Sequence, residues 1–277
     1  MQAEKQKESG GTSEPILISL RPTLRCNFKC TFCLSDSGPH RKEYAARDEL
    51  IAFFDQLDKA QFRGAMHICG GEPFLYKDIN WLIAESCKHA EEVTVLTNGS
   101  WIPYTAKWRG FCKLKDELRM LKELPNVKIR ISLDSYHLQE HTGDPRGIKR
   151  LMTFARASKA AGLTPGEQYI VQVTEATHDE AENTKRKIER ALGMSGDDAS
   201  FIRTREMYKL GRSEQGREFR IGEQDYIIVN PTLEGRLIIY AGRAEECEQS
   251  PYGGIETLGA LLDERRAALG RLMRKEV

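Results

Sequence analysis

Strand-like and helix-like segments alternate through six strands between residues 15 and 205, and this order leaves few folds open. Ile16–Leu20 (Ile-Leu-Ile-Ser-Leu) reads as a strand. Residues 47–60 then carry Leu50, Ile51, Phe53, Phe54 and Leu57 at helical spacing. The pattern repeats as strand Ala65–Cys69 with helix Ile79–Ala90, and strand Val93–Leu96 with helix 113–124 after a connection at 101–112. It continues with strand Val127–Leu133 and helix 147–161, closed by Gly162, then strand Gln168–Val173, helix 180–192 and strand Ser200–Arg205. Such alternation predicts an α/β fold with a parallel sheet and right-handed crossovers.

The polar and glycine signatures all fall where strands end: Cys26–Cys33, Gly70-Gly71-Glu72, Asn98-Gly99 and Ser132 with Asp134. In a parallel barrel, the C-terminal edge of the strands carries the active site. The first signature, Cys26-Asn27-Phe28-Lys29-Cys30-Thr31-Phe32-Cys33, offers three thiolates in eight residues. Three cysteines can hold three irons of a [4Fe–4S] cube and leave the fourth iron open for chemistry. A zinc shell of three cysteines completed by His40 is the competing reading. A disulfide fits less well, because the chain starts without an apolar signal segment and a reducing, cytoplasmic compartment is expected.

Composition excludes more than it assigns. There are 42 basic and 41 acidic residues, for a net charge of +1, so charge makes no case for nucleic acid or an anionic membrane as partner. No apolar run approaches the roughly 20 residues of a membrane helix. Residues 1–14 are polar and are expected to be disordered. Seven cysteines suit one cluster plus free thiols better than a disulfide framework.

The triad Cys26-x3-Cys30-x2-Cys33 after a first strand, with Phe32 before the last cysteine, resembles the radical S-adenosylmethionine (SAM) superfamily. Gly70-Gly71-Glu72-Pro73 at the end of the second strand resembles the motif that meets the SAM amino group in that family. The resemblance covers roughly residues 15–210 and implies a partial (β/α)6 TIM-type barrel. It implies one [4Fe–4S] cluster on Cys26, Cys30 and Cys33, SAM on the open iron, and an electron donor such as flavodoxin or ferredoxin. By the same resemblance Gly70, Gly71 and Glu72 meet the SAM ammonium group, and Ser132 and Asp134 its ribose or methionyl part. Arg146 would meet the carboxylate, Asn98 would line the pocket and Phe32 would stack near adenine. Each has a plainer alternative: a tight turn for the glycines, a helix cap for Ser132 and Asp134, a turn for Asn98, loop burial for Phe32.

The tail changes character. Tyr226–Asn230 and Arg236–Tyr240 read as a hairpin about 231–235, followed by a helix at 257–273, a small α+β extension. With Leu210-Gly211-Arg212 and Gly253-Gly254-Ile255, residues 211–277 resemble the C-terminal SPASM/twitch extension, which binds auxiliary clusters through several cysteines. This chain has one cysteine after residue 112, Cys247, so an extension without its cluster is expected. A lone thiol facing the cavity could return a hydrogen atom to a substrate radical, which points to epimerisation of a natural product or peptide with Cys247 as donor. Dehydrogenation, cross-linking or dehydration are the alternatives within the family, and a zinc-binding, non-catalytic module the alternative outside it. The basic stretch from Arg203 to Arg220 reads as a solvated face, although Arg203 or Arg205 could reach SAM or an acidic substrate group. His137 and His141 follow the fourth strand; either could be an acid–base group, with a surface or capping histidine the plainer reading.

Overall fold

The computed structural model describes residues 16–104, 108–124, 126–138, 146–206, 225–242 and 251–273. Six parallel strands follow one another in order: β1 (Ile16–Thr23), β2 (Ala65–Gly70), β3 (Glu92–Thr97), β4 (Val127–Ser132), β5 (Tyr169–Glu175) and β6 (Ile202–Glu206). Helices α1 (Arg47–Lys59), α2 (Ile79–His89), α3 (Trp108–Lys122), α5 (Gly147–Ala161) and α6 (His178–Leu192) make the crossovers. A single turn, α4 (Ser135–Leu138), follows β4. This is the expected partial barrel. Each helix presents an apolar stripe to the sheet; in α1 it is Leu50, Phe53, Phe54 and Leu57.

Local chemistry sets the helix ends. Thr177 and Glu180 form a reciprocal capping box at the start of α6. Gly162 (φ 78°) closes α5 in the left-handed conformation that glycine adopts without a Cβ clash. The first strand runs three residues beyond the predicted Leu20. Its pairing with β2 shifts register between Leu20 and Thr23, and this irregularity accommodates Pro22, which has no N–H to give.

The hairpin is present, as β7 (Asp225–Pro231) and β8 (Leu237–Gly242), with β9 (Gly253–Gly254) and helix α7 (Leu258–Met273) after it. Its placement was not readable from local pattern. β7 pairs in parallel with β1, from Ile16 opposite Asp225 to Leu20 opposite Val229. One sheet therefore runs β6-β5-β4-β3-β2-β1-β7-β8-β9. β1 lies inside it with all eight residues buried, as a strand covered on both faces should be. The hairpin turn is tied to the start of α1: the N-cap Ala46 N–H donates to Gly235 O at 2.7 Å, and Leu237 N–H to Glu49 Oε2 in the first turn at 3.2 Å. Among the described residues, no helix is long and apolar enough to cross a membrane.

Phe154 of α5 is fully buried between Trp101 (ring centroids 6.4 Å apart) and Tyr169 (5.2 Å). Phe154→Ala should cost about 3–5 kcal/mol in urea unfolding, through lost burial and the cavity left behind. A loss under about 1 kcal/mol would show that α5 does not seal this side of the barrel.

Candidate active site

The cysteine loop starts at the end of β1, and backbone contacts with the end of β2 set its path. Gly71 N–H donates to Thr23 O (2.8 Å) and Glu72 N–H to Arg25 O (2.9 Å). A Cβ on Gly71 would lie 2.0 Å from Arg25 O, and one on Gly70 (φ +96°) 2.6 Å from Thr23 O. Two glycines are required because two backbones touch here, which a free-standing turn would not demand. The loop is closed by Cys26 N–H to Gly38 O (3.1 Å), and it is fastened to β2 by Ser35 Oγ–H donating to Gly70 O (2.7 Å).

Glu72 is buried and holds a third strand in place. Its carboxylate accepts from Thr97 Oγ1 (2.7 Å), Asn98 N–H (2.8 Å) and Phe74 N–H (3.1 Å). Burial pushes its pKa up to about 7 although all three bonds favour the charged form. The side chain thus locks the ends of β2 and β3 together and does not form part of the cavity wall; only its backbone neighbours Gly70 and Gly71 do.

That wall encloses about 330 Å³ on the inner face of the barrel, within the range of small-molecule sites. Cys26, Cys30 and Cys33 all open onto it. Phe28 N–H points at Cys26 Sγ (3.4 Å), Asn98 Nδ2 at the same sulfur (3.6 Å), and Ser37 N–H at Cys33 Sγ (3.3 Å). Such donors favour thiolate sulfur and tune an iron–sulfur centre. As a thiol, Cys26 is pushed up to about 12, first by burial and then by Glu72 and the other two cysteines, so metal loading must expel its proton.

A tetrahedral zinc would need its ligands about 2.3 Å or less from one point. Among the described residues no three His, Cys, Asp or Glu side chains converge in that way, and His40 is exposed. Cys26, Cys30 and Cys33 line one cavity, and a [4Fe–4S] cluster takes one cysteine per iron.

Phe32, Asn98, Ser132 and Asp134 line the same cavity. Asp134 also caps α4, accepting from His137 N–H (3.0 Å). Arg146 is elsewhere, at the N-cap of α5 with its guanidinium 4.1 Å over the Tyr104 ring, and it is not part of the cavity wall. Cys247 and His141 lie outside the described residues.

His137 is the main departure from expectation. It is buried on the cavity wall, with Nδ1 2.7 Å from Asp134 Oδ1. Burial alone would lower its pKa, but the Asp134 carboxylate and the Cys30 sulfur outweigh it and hold it near 10. The Asp134-x-x-His137 spacing directly after a strand was the available signal. Among the other wall residues outside the sequence reading of the site are Arg21, His67, Cys69 and Arg130. Cys69 Sγ sits 3.0 Å from Ser19 Oγ.

Comparison with known proteins gives a family match. The model of the Radical SAM superfamily matches residues 20–188, more than half of the chain. GTP 3',8-cyclase of Listeria monocytogenes is 27% identical over 171 residues, covering 59% of this chain and 47% of that protein. The antilisterial bacteriocin subtilosin biosynthesis protein AlbA of Bacillus subtilis is 27% identical over 226 residues, covering 77% and 46%. The chain thus spans about half the length of the curated relatives it matches. Among solved structures, anSMEcpe with bound AdoMet superposes with a TM-score of 0.54 at 15% identity, over 87% of this chain and 78% of that one, a likeness of fold.

The Glu72 bonds make a pH-dependent prediction. A carboxylate whose pKa is raised on folding contributes stability that is complete below about 4.5 and lost as pH climbs through about 7. Thr97→Val removes a donor to the charged form and should cost about 1–3 kcal/mol. The deficit in urea unfolding should be larger at about pH 8 than at about pH 5. An equal deficit at both would show that the Thr97 hydroxyl does not act on the Glu72 charge.

Proposed function

The chain belongs to the radical SAM superfamily, and on that premise we propose that it cleaves SAM reductively in the barrel cavity and takes a hydrogen atom from a natural-product or peptide substrate. The observation that carries this reading is the convergence of Cys26, Cys30 and Cys33 with Gly70 and Gly71 on one cavity. The three cysteines would hold a [4Fe–4S] cluster. The Gly70–Gly71 backbone would border the methionyl amine of SAM, with Ser132 and Asp134 on its ribose side and Phe32 toward adenine. When bound, the cluster supplies the electron that splits SAM into methionine and a 5′-deoxyadenosyl radical. The chain's own residues place and shield the reactants. Phe28, Phe32, Leu34 and Leu96 give the wall its apolar area and keep water from the reacting atoms. Asp134 fixes His137 beside Cys30.

The name of the subtilosin biosynthesis relative supports a peptide substrate, and that of the GTP cyclase a small molecule. A low-potential donor of the flavodoxin or ferredoxin kind would deliver the electron. In the epimerisation form of this reading, the Cys247 thiol gives its hydrogen atom to the substrate carbon radical. The resulting thiyl takes one electron and one proton, the electron from that same donor, to return to the thiol.

Anaerobic reconstitution should give about four irons and four sulfides per chain, and with dithionite and SAM the protein should release 5′-deoxyadenosine. Cys26→Ala, Cys30→Ala and Cys33→Ala should each abolish that release. A colourless, zinc-bound protein that yields no 5′-deoxyadenosine would sink the proposal. In deuterated water an epimerase would place one deuterium at the inverted carbon. Full turnover by Cys247→Ala would remove Cys247 as donor, and Cys69→Ala tests the thiol on the cavity wall in the same way.

A further inference from the structure

We propose that the substrate carries an oxyanion group, a carboxylate or a phosphate, held inside the barrel by Arg21, Arg130 and Arg205. This deepens the reading above, since it takes the same cavity as the site of radical chemistry. The three arginines come from β1, β4 and β6 and line the same cavity as the cluster cysteines. They are unusual occupants. The chain as a whole is nearly neutral, at +1, and arginine is seldom buried. Yet Arg21 is only 7% exposed, and Arg130 and Arg205 are half-buried.

Their positions follow from strand periodicity. Arg21 lies one same-face step beyond Ser19 on β1, and Arg130 one such step before Ser132 on β4, and all four residues line the cavity. Arg205 stands opposite Thr174, another wall residue. Arg21 is beside the double glycine: a Cβ on Gly70 would lie 2.8 Å from Arg21 Cβ. An anion held here sits next to the proposed SAM site.

The wall around these arginines carries acidic, neutral and imidazole groups. Among the described residues the carboxylates on the wall are Asp134, which accepts from His137, and Glu206. Arg21 Nη1 donates to the neutral Asn230 Oδ1 at 3.2 Å. His67, between the strands that bear Arg21 and Arg130, is held near pKa 3, first by burial and then by the charges of Arg130 and Arg205, so it adds a neutral hydrogen-bonding imidazole. A guanidinium offers five donors in a planar fork matched to carboxylate or phosphate, and forks from three strands can hold such a group from several sides.

The test uses the full-length, reconstituted protein with inorganic pyrophosphate and citrate as probes, read by isothermal titration at constant ionic strength set with sodium chloride. Saturable binding of either probe is expected, and the tighter of the two identifies the group. Arg205→Gln and Arg130→Gln should each weaken it about tenfold, the loss of a charge-assisted contact. Arg130→Lys should recover part of the loss. Arg186→Gln, on the exposed face of α6, should change nothing. SAM affinity, measured in parallel, should stay within about twofold in the arginine variants. No binding beyond that of chloride, or binding indifferent to both substitutions, would overturn the proposal. Loss of SAM affinity instead would also overturn it, by assigning the arginines to SAM, and would leave the radical SAM reading intact. Because pyrophosphate and citrate binding does not depend on 5′-deoxyadenosine release, failure of that reading would register separately.

Discussion

The backbone of Gly71 rests against the backbone of Arg25, and the site's architecture follows from that contact. With 2.0 Å between the carbonyl oxygen of Arg25 and the place a Cβ would occupy, no other residue fits without moving one of the two strands' ends. The hydrogen bonds from Gly71 and Glu72 to Thr23 and Arg25 then fix where the cysteine loop departs. Glu72 carries the constraint one strand further, because its buried carboxylate accepts from Thr97 and from the Asn98 amide. The ends of β1, β2 and β3 are thereby fixed to one another, and Asn98 Nδ2 arrives 3.6 Å from Cys26 Sγ as a consequence. A carboxylate in such a place is costly to bury. Its elevated pKa shows that three hydrogen bonds offset the cost only in part.

The periodic elements were readable because a parallel barrel imposes two distinct sequence periods that follow one another. The site's location was readable for a related reason: the cysteines, the double glycine, Asn98 and Asp134 all stand where a strand pattern stops. What escaped lies within strands. Arg21 interrupts the apolar run of the fully buried β1, and Arg130 sits with Lys128 and Ser132 on the polar face of the alternating β4; a sequence does not say whether such a position faces helices or the barrel interior. Closure of the barrel decides that, and closure is a non-local event. His137 escaped because a histidine after a strand is commonly a surface residue; only its geometry with Asp134 and Cys30 gives it another role.

The hairpin shows the same limit from the other side. Its two strands and turn were evident from alternation and from Gly235, yet nothing local names β1 as the partner of β7. That pairing matters to the site. It covers the outer edge of β1, the strand that leads into the cysteine loop. It also brings Ile228 onto the cavity wall and Asn230 to the guanidinium of Arg21. The C-terminal strands therefore belong to the barrel's sheet as much as β6 does at the other end, and a division into barrel and appendage describes the sequence better than it describes the packing.

Under the proposed radical chemistry, polar residues inside the barrel pose a physical problem. A carbon-centred radical needs few competing hydrogen donors near it, and the Cys69 thiol on the wall is one, since its S–H bond is weaker than most C–H bonds. Cys69 is held by Ser19 at 3.0 Å, so its sulfur has a fixed place relative to anything bound in the cavity. Selectivity then depends on holding the substrate as rigidly as the wall. Apolar contact with Phe28, Phe32 and Leu96 is non-directional and would let a small molecule turn. A planar guanidinium fork resists turning, because its hydrogen bonds fix orientation as well as position. Charged groups among the interior strands are thus what the proposed reaction, decided by the distance to one particular hydrogen atom, would require.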